Sequence, residues 1–386
     1  MFRKVSLLRN VLAPSRSLYS ETALGVDNYI IGREKVKQSF TAQNEDKFRE
    51  KMLEFSADKP GNMVFTEDLK NMAHLVNKTP EDMVLIEKML KKYNSQNKEL
   101  RFGLFIFGPV IMRMFYHLNE VDAALRLFKD PNMEGFFDQL VSFQLLLDML
   151  YENKRYDEVL EVFDFIKAKQ IQGGRYPKHS VVLAFAACYK LNTPKSFEYC
   201  TQLWKNLADV GHMPMRKAAT FAAGLALEQN APQISLEILS TVKDQGYVSV
   251  RNLKLITYAQ LDRPDNAIPI LRNSINVDEP VFKKRTFIKK AIEELRKSIV
   301  KNAEKDLEAD FNKIEKTLIQ NGQINEDTIE HLLCTEIAST ALNGQKRNRS
   351  VIAASFNEGN NNTSRNFNKS RNFNQRTQRM GLNDMY

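Results

Sequence analysis

The chain has 386 residues, 43% of them hydrophobic, with only 15 Gly and 12 Pro and a formal net charge of +9. It contains no run of eighteen apolar residues, so no membrane span is expected. Three widely spaced cysteines (Cys188, Cys200, Cys334) speak against a disulfide framework and fit a reducing compartment. Five scattered histidines lack metal-ligand spacing, and phosphate-loop, dinucleotide-loop, CxxC and HExxH patterns are missing, so no catalytic residue, metal or cofactor is expected.

The charge sits at the two ends. Residues 1–20 hold Arg3, Lys4, Arg9 and Arg16 and no acid; residues 345–386 hold eight cations against Glu358 and Asp384; the stretch 21–344 is left at one negative charge. The first segment is Arg-rich, Ser-rich and acid-free. Phe2, Val5, Leu8 and Leu12 can share one helical face, as in a mitochondrial transit peptide. Residues 1–20 are therefore expected to be a leader, with a matrix-processing site at Arg16–Ser20 and cleavage somewhere in 17–20. Residues 21–104 form an N-terminal helical region. Its 21–60 part reads as one helix with loops. Thr66 before Glu67-Asp68, and Thr79-Pro80-Glu81-Asp82, read as starts of helices over roughly 67–77 and 80–93.

From residue 105 a helical hairpin recurs. Val121, Ala124, Leu125 and Phe128 return 35 residues later as Tyr156, Val159, Leu160 and Phe163; Leu203, Trp204, Leu207 and Gly211 return at the same interval as Ile238, Leu239, Val242 and Gly246. The most regular copy is 140–178, two apolar stripes at helical spacing joined by Glu152–Arg155. A single hairpin of this kind has apolar surface on more than one side and needs stacked neighbours. Five copies span 105–276, the last with a shortened first helix, Leu253–Leu261. Beyond Pro280, Phe282–Leu318 reads as long charged helix, and Asn325 starts a last helix through about Leu342. Residues 277–342 are expected to cap the array, with a coiled-coil arm as the rival reading. Residues 343–386 are rich in Asn, Ser, Arg, Gly and Gln and are expected to be a disordered basic tail. The predicted fold is all-α, an α-solenoid of degenerate 35-residue hairpins with a C-terminal helical cap and a disordered tail.

Tyr156-Asp157-Glu158-Val159-Leu160-Glu161-Val162-Phe163 and Val121-Asp122-Ala123-Ala124-Leu125-Arg126-Leu127-Phe128, with Gly211 and Pro214 closing a later copy, resemble the pentatricopeptide repeat. The resemblance implies a modular reader of single-stranded RNA, each first helix offering side chains to one base. It also implies a role in the maturation or stability of mitochondrial messenger RNA, in support of respiratory chain function. The family's reading positions fall here on Pro109, Gln144, Val182, Thr220 and about Leu255, and at repeat ends on about Gln139, Lys178, Met215 and Val250. Only Gln144 with Lys178, and Thr220 alone, can hydrogen-bond a base edge, so a strict base-per-repeat code is not expected. Phosphate contacts are sought at Lys190 with Lys195, Arg216-Lys217, Arg251 with Lys254, and Lys283-Lys284-Arg285 with Lys289-Lys290. In the tail, Arg365, Arg371 and Arg376 alternate with Phe367 and Phe373, a pattern suited to phosphate contact and base stacking. The reading is a non-catalytic RNA-binding protein of the mitochondrial matrix, with possible protein partners in RNA processing. The alternative is a protein–protein scaffold of an RNA-processing or respiratory assembly. A nuclease would need clustered carboxylates, which the helical pattern does not supply.

Overall fold

A computed structural model describes residues 17–57, 59, 61–100, 105–171, 174–275, 286–303 and 305–337. Residues 1–16 of the leader expected over 1–20, and the expected tail from 343, lie outside them. An N-terminal group of helices comprises α1 (Glu21–Leu24), α2 (Val26–Ser39), α3 (Ala42–Ser56), α4 (Thr66–Leu75) and α5 (Pro80–Leu100). Hairpins follow: α6 (Gly108–Leu118) with α7 (Val121–Lys129), α8 (Leu140–Glu152) with α9 (Tyr156–Lys169), α10 (Lys178–Leu191) with α11 (Pro194–Asp209), α12 (Arg216–Glu228) with α13 (Pro232–Ser240), and α14 (Val248–Gln260) with the short α15 (Ile268–Ile275). Then come β1 (Phe287–Ile288), α16 (Lys289–Asn302), α17 (Lys305–Gln320), β2 (Ile324–Asn325) and α18 (Ile329–Leu333). The fold is an all-α repeat solenoid, as the periodicity implies.

Its two layers follow from the repeat. The first helices α6, α8, α10, α12, α14 and α16 stack side by side, while α9, α11 and α13 each pack between their own first helix and the next one. The turn inside each hairpin contains one residue in the left-handed conformation: Asn119, Lys154, Asn192, Asn230, Asp262 and Ala303. Asn and Asp tolerate that region better than most side chains, which explains four of the six. Successive turns are laced together. Asn153 Nδ2 donates to Asn119 Oδ1 at 3.0 Å, Gln229 Nε2 to Asn192 Oδ1 at 2.7 Å, and Lys301 Nζ pairs with Asp262 at 2.6 Å.

That series revises the C-terminal region. The long helix expected over Phe282–Leu318 is broken at Ala303, and its halves form a sixth hairpin of the same kind. Phe287, Ile292, Leu295, Phe311, Ile314 and Leu318 are buried within the molecule, which removes the apolar seam a coiled-coil arm would use. The last helix is shorter than expected; it starts after Thr328, whose side chain accepts from the His331 amide, and ends at Leu333. At the other end, residues 21–56 form three helices rather than one. Thr79 does cap α5, accepting from the Asp82 amide at 3.3 Å, whereas the cap of α4 is Phe65, not Thr66.

Candidate nucleic-acid interface

A helix half-buried in a solenoid should bury one stripe, and the second helices do: Val159, Val162, Phe163 and Ile166 on α9, and Cys200, Leu203 and Leu207 on α11. The first helices differ. Every residue from Ser180 to Cys188 on α10, and from Ala218 to Leu227 on α12, is buried. Their fourth side, the face on which reading residues were expected, is covered by two segments of the same chain, residues 18–19 and 329–337.

From one side, α2 packs against α4 and α6. Tyr29 Oη donates to Ala73 O at 2.7 Å, Arg33 to His74 O at 2.9 Å, and Arg113 Nε to Leu24 O at 2.9 Å. Residues 18–19 then cross α8 and α10: the Leu18 amide donates to Glu152 Oε1 at 3.0 Å, and Tyr19 Oη meets His179 Nδ1 at 3.1 Å. From the other side, β2 pairs in parallel with β1, and 329–337 runs back over α12, α10 and α8. Leu333 lies over Gly224, Lys217 Nζ donates to Thr335 O at 2.7 Å, and Cys334 Sγ lies 3.9 Å from Tyr151 Oη. The two ends meet where the Ile337 amide donates to Leu18 O at 2.8 Å, beside a parallel bridge between Tyr19 and Ile337. The sequence carried a signal for this closure: Ser180–Cys188 and Ala218–Leu227 are small or apolar on every side of their helices, the pattern of a helix buried all round.

The expected reading residues fare differently. Thr220 is fully buried and its hydroxyl donates to Lys217 O at 2.9 Å, so it offers no group to a base in this arrangement. Gln144, half-buried in the second turn of α8, and Lys178, the exposed first residue of α10, sit on neighbouring helices and keep surface. Lys283, Lys284, Arg285, Arg365, Phe367, Arg371 and Phe373 lie outside the described residues. Lys289 and Lys290 are separated from Lys178. They line a cleft of about 740 Å³ with Lys190, Glu228, Glu293, Glu326 and Glu330, a lining of mixed charge.

Several cations on or just before the second helices are neutralised by acids of adjacent repeats: Arg126 with Glu87, Lys129 with Glu161, Arg155 with Asp122 and Arg272 with Asp310. A different balance holds where α10 and α12 begin. Neither helix has a side-chain cap or an acid in its first turn, and each opens on cations: Lys178 on one, Arg216 and Lys217 on the other. A cation there opposes the helix dipole, so it adds nothing to local stability. Neither Lys178 nor Arg175 takes part in an ion pair among the described residues. Arg216 lies over the Tyr247 ring and reaches Ser249 on α14 at 3.5 Å, which joins the two helix starts. His179 and His212 are both held below the ordinary histidine range, by burial first and then by the charge of Lys178. Arg175, which the repeat register did not single out, completes an edge of cations beside uncapped backbone N–H groups.

Lys217 belongs to both features. Burial pushes its ammonium down to about 8 from 10.5, against the opposing effect of nearby Cys334. The unfolded chain therefore holds this proton to higher pH than the folded one. The penalty is complete below about pH 8, and stability is regained as pH rises from there to 10.5. Denaturant midpoints taken across that window should climb for the wild type relative to Lys217→Met. Parallel profiles for the two would show that Lys217 is not buried under the returning segment.

No family model matches the chain. It is 31% identical over 284 residues, 73% of its own length and 72% of the relative's, to pentatricopeptide repeat-containing protein 2, mitochondrial, of Xenopus laevis. The corresponding protein of Homo sapiens is 31% identical over 276 residues (70% and 69% of the two chains), and that of Danio rerio 31% over 274 residues (70% of each).

Proposed function

The chain belongs to the family of mitochondrial pentatricopeptide repeat-containing protein 2, and from that premise we propose that it is a non-catalytic RNA-binding protein of the mitochondrial matrix. It assists the maturation or stability of mitochondrial messenger RNA and so supports respiratory chain function. The supporting observation is the edge formed by Arg175, Lys178 and Arg216 at the uncapped starts of α10 and α12, where none of the three forms an ion pair among the described residues. Phosphate oxygens match such an edge, since helix N-termini present free N–H donors and the flanking cations supply charge. Gln144 and Lys178 then contact bases at the margin of the closed face, and the single strand runs along the edge rather than repeat by repeat through the layer. Lys283–Arg285 and the Arg/Phe pattern of 365–376 belong to the same proposal as further contacts.

One observation favours a second reading, a protein scaffold: the mixed-charge cleft between Lys190, Lys289, Lys290 and Glu326–Glu330 suits a peptide carrying both signs better than a polyanion. Ultraviolet crosslinking of the tagged protein in mitochondria separates the two. Enriched mitochondrial transcripts are expected. A stable protein partner recovered with no enriched RNA would replace the first reading by the second.

A further inference from the structure

Leu18 and Tyr19 are each 1% exposed and belong to the core. The Leu18 amide is seated on the Glu152 carboxylate at 3.0 Å. That carboxylate is held above its ordinary range by burial, against the hydrogen bond from Leu18 and the charge of Lys190. The Lys190 ammonium is itself engaged by Glu330. One turn earlier on α8, Asp148 is fully buried; its Oδ2 accepts from Tyr116 Oη at 2.9 Å, and its Oδ1 has no partner among the described residues. The buried Asp148 and the half-buried Glu152 thus lie one helical turn apart, and Glu152 alone receives the neutral Leu18 N–H. Burial of a carboxylate is costly, and the charge of Lys190 does not offset it, since Glu152 stays above its ordinary range.

We propose that the Ser17–Leu18 peptide bond is the processing site of the leader, and that the α-ammonium freed on Leu18 is the cation seated on Glu152 in the folded protein. The proposal rests on membership of a mitochondrial family and on the expected leader; it is independent of the RNA reading. Water adds across the amide under a processing endopeptidase. Ser17 departs with the leader as a carboxylate, and Leu18 keeps the nitrogen as an amine, protonated near neutral pH. Cleavage after Leu18, Tyr19 or Ser20 would remove the carbonyl that receives the Ile337 amide, or the ring that meets His179. Cleavage upstream of Ser17 would leave an amide, with one hydrogen and no charge, opposite the Glu152 carboxylate. Because Leu18 is buried after folding, the cut precedes folding, and the new terminus then ties the N-terminal segment to α8 and to residue 337.

The test uses the full mature chain. Labelling of free amino termini, followed by mass spectrometry of the protein recovered from mitochondria, should return Leu18 as the first residue. Chains beginning at Leu18 and at Ser17, both released from a cleavable fusion, are then compared. The Leu18 form should melt about 2 °C higher, and Glu152→Gln, which keeps an acceptor for the Leu18 nitrogen, should erase that difference. A different native terminus, equal melting of the two chains, or a difference that persists in Glu152→Gln overturns the proposal.

Discussion

Leu333→Asp should detach the C-terminal segment from the first helices and lower stability by about 3–5 kcal/mol. Leu333 is fully buried, with Cδ1 over Gly224, where only a missing side chain leaves it room. Removing the leucine forfeits its burial, and a carboxylate in the same place would be taken out of water. What else holds this segment is weak by comparison: the Lys190–Glu330 pair at the surface, worth about 0–1 kcal/mol, and two hydrogen bonds to backbone carbonyls, Lys217 Nζ to Thr335 O and the Ile337 amide to Leu18 O. Local release is therefore expected before global unfolding. Hydrogen exchange read by mass spectrometry should show faster exchange over 180–188 and 218–227, with α9 and α11 little changed. Gly224→Phe should act in the same direction by filling the seat from below. Wild-type protection of α10 and α12 in both variants would mean that the returning segment does not cover these helices.

The second large effect is on RNA. Replacing Arg175, Lys178 and Arg216 together with alanine should weaken binding of a mitochondrial single-stranded RNA about 10²-fold at low salt, taking about 1 kcal/mol per charge-assisted contact. The slope of log affinity against log salt should flatten by about 2, because each phosphate contact in a single strand contributes about 0.7. Removing Arg175 and Lys178 should change stability little, since neither forms an ion pair among the described residues and Lys178 opposes a helix dipole. Arg216→Ala also gives up the Tyr247 and Ser249 contacts, so melting is measured beside binding. An equal-sized control, Arg126→Ala with Lys129→Ala and Arg155→Ala, removes cations already paired between repeats and should leave both affinity and slope nearly unchanged. If the control weakens binding as much as the test variant, the edge of α10 and α12 is not the interface.

These predictions differ in how far the residues alone could have led to them. The hairpins were legible because their information is local: the recurrence of Val121–Phe128 as Tyr156–Phe163 states both the helical period and the register. The sixth hairpin was not, because Ala303 carries no breaking signature; its left-handed conformation follows from packing α16 and α17 as the earlier pairs pack. Gln144 and Lys178 were picked out by counting along the repeat. The same counting picked out Thr220, but counting does not show that a hydroxyl can satisfy itself on its own helix, at Lys217 O, and be buried at little cost. Arg175 escaped notice because it lies outside the counted positions; only its lack of an ion pair among the described residues marks it.

By itself, then, the amino-acid order determined an array of helical hairpins, its repeat family, a basic N-terminal leader pattern and a nearly neutral body. Each of these depends on residues three, four or thirty-five apart. The tertiary structure alone decided the fate of the first-helix face. Its closure rests on Leu18 with Glu152, Tyr19 with His179 and Cys334 with Tyr151, separated by 134, 160 and 183 residues. Periodicity tells which sides of a helix must leave water. Which distant segment covers the last of them depends on chain ends that return to it, and no local pattern encodes that pairing.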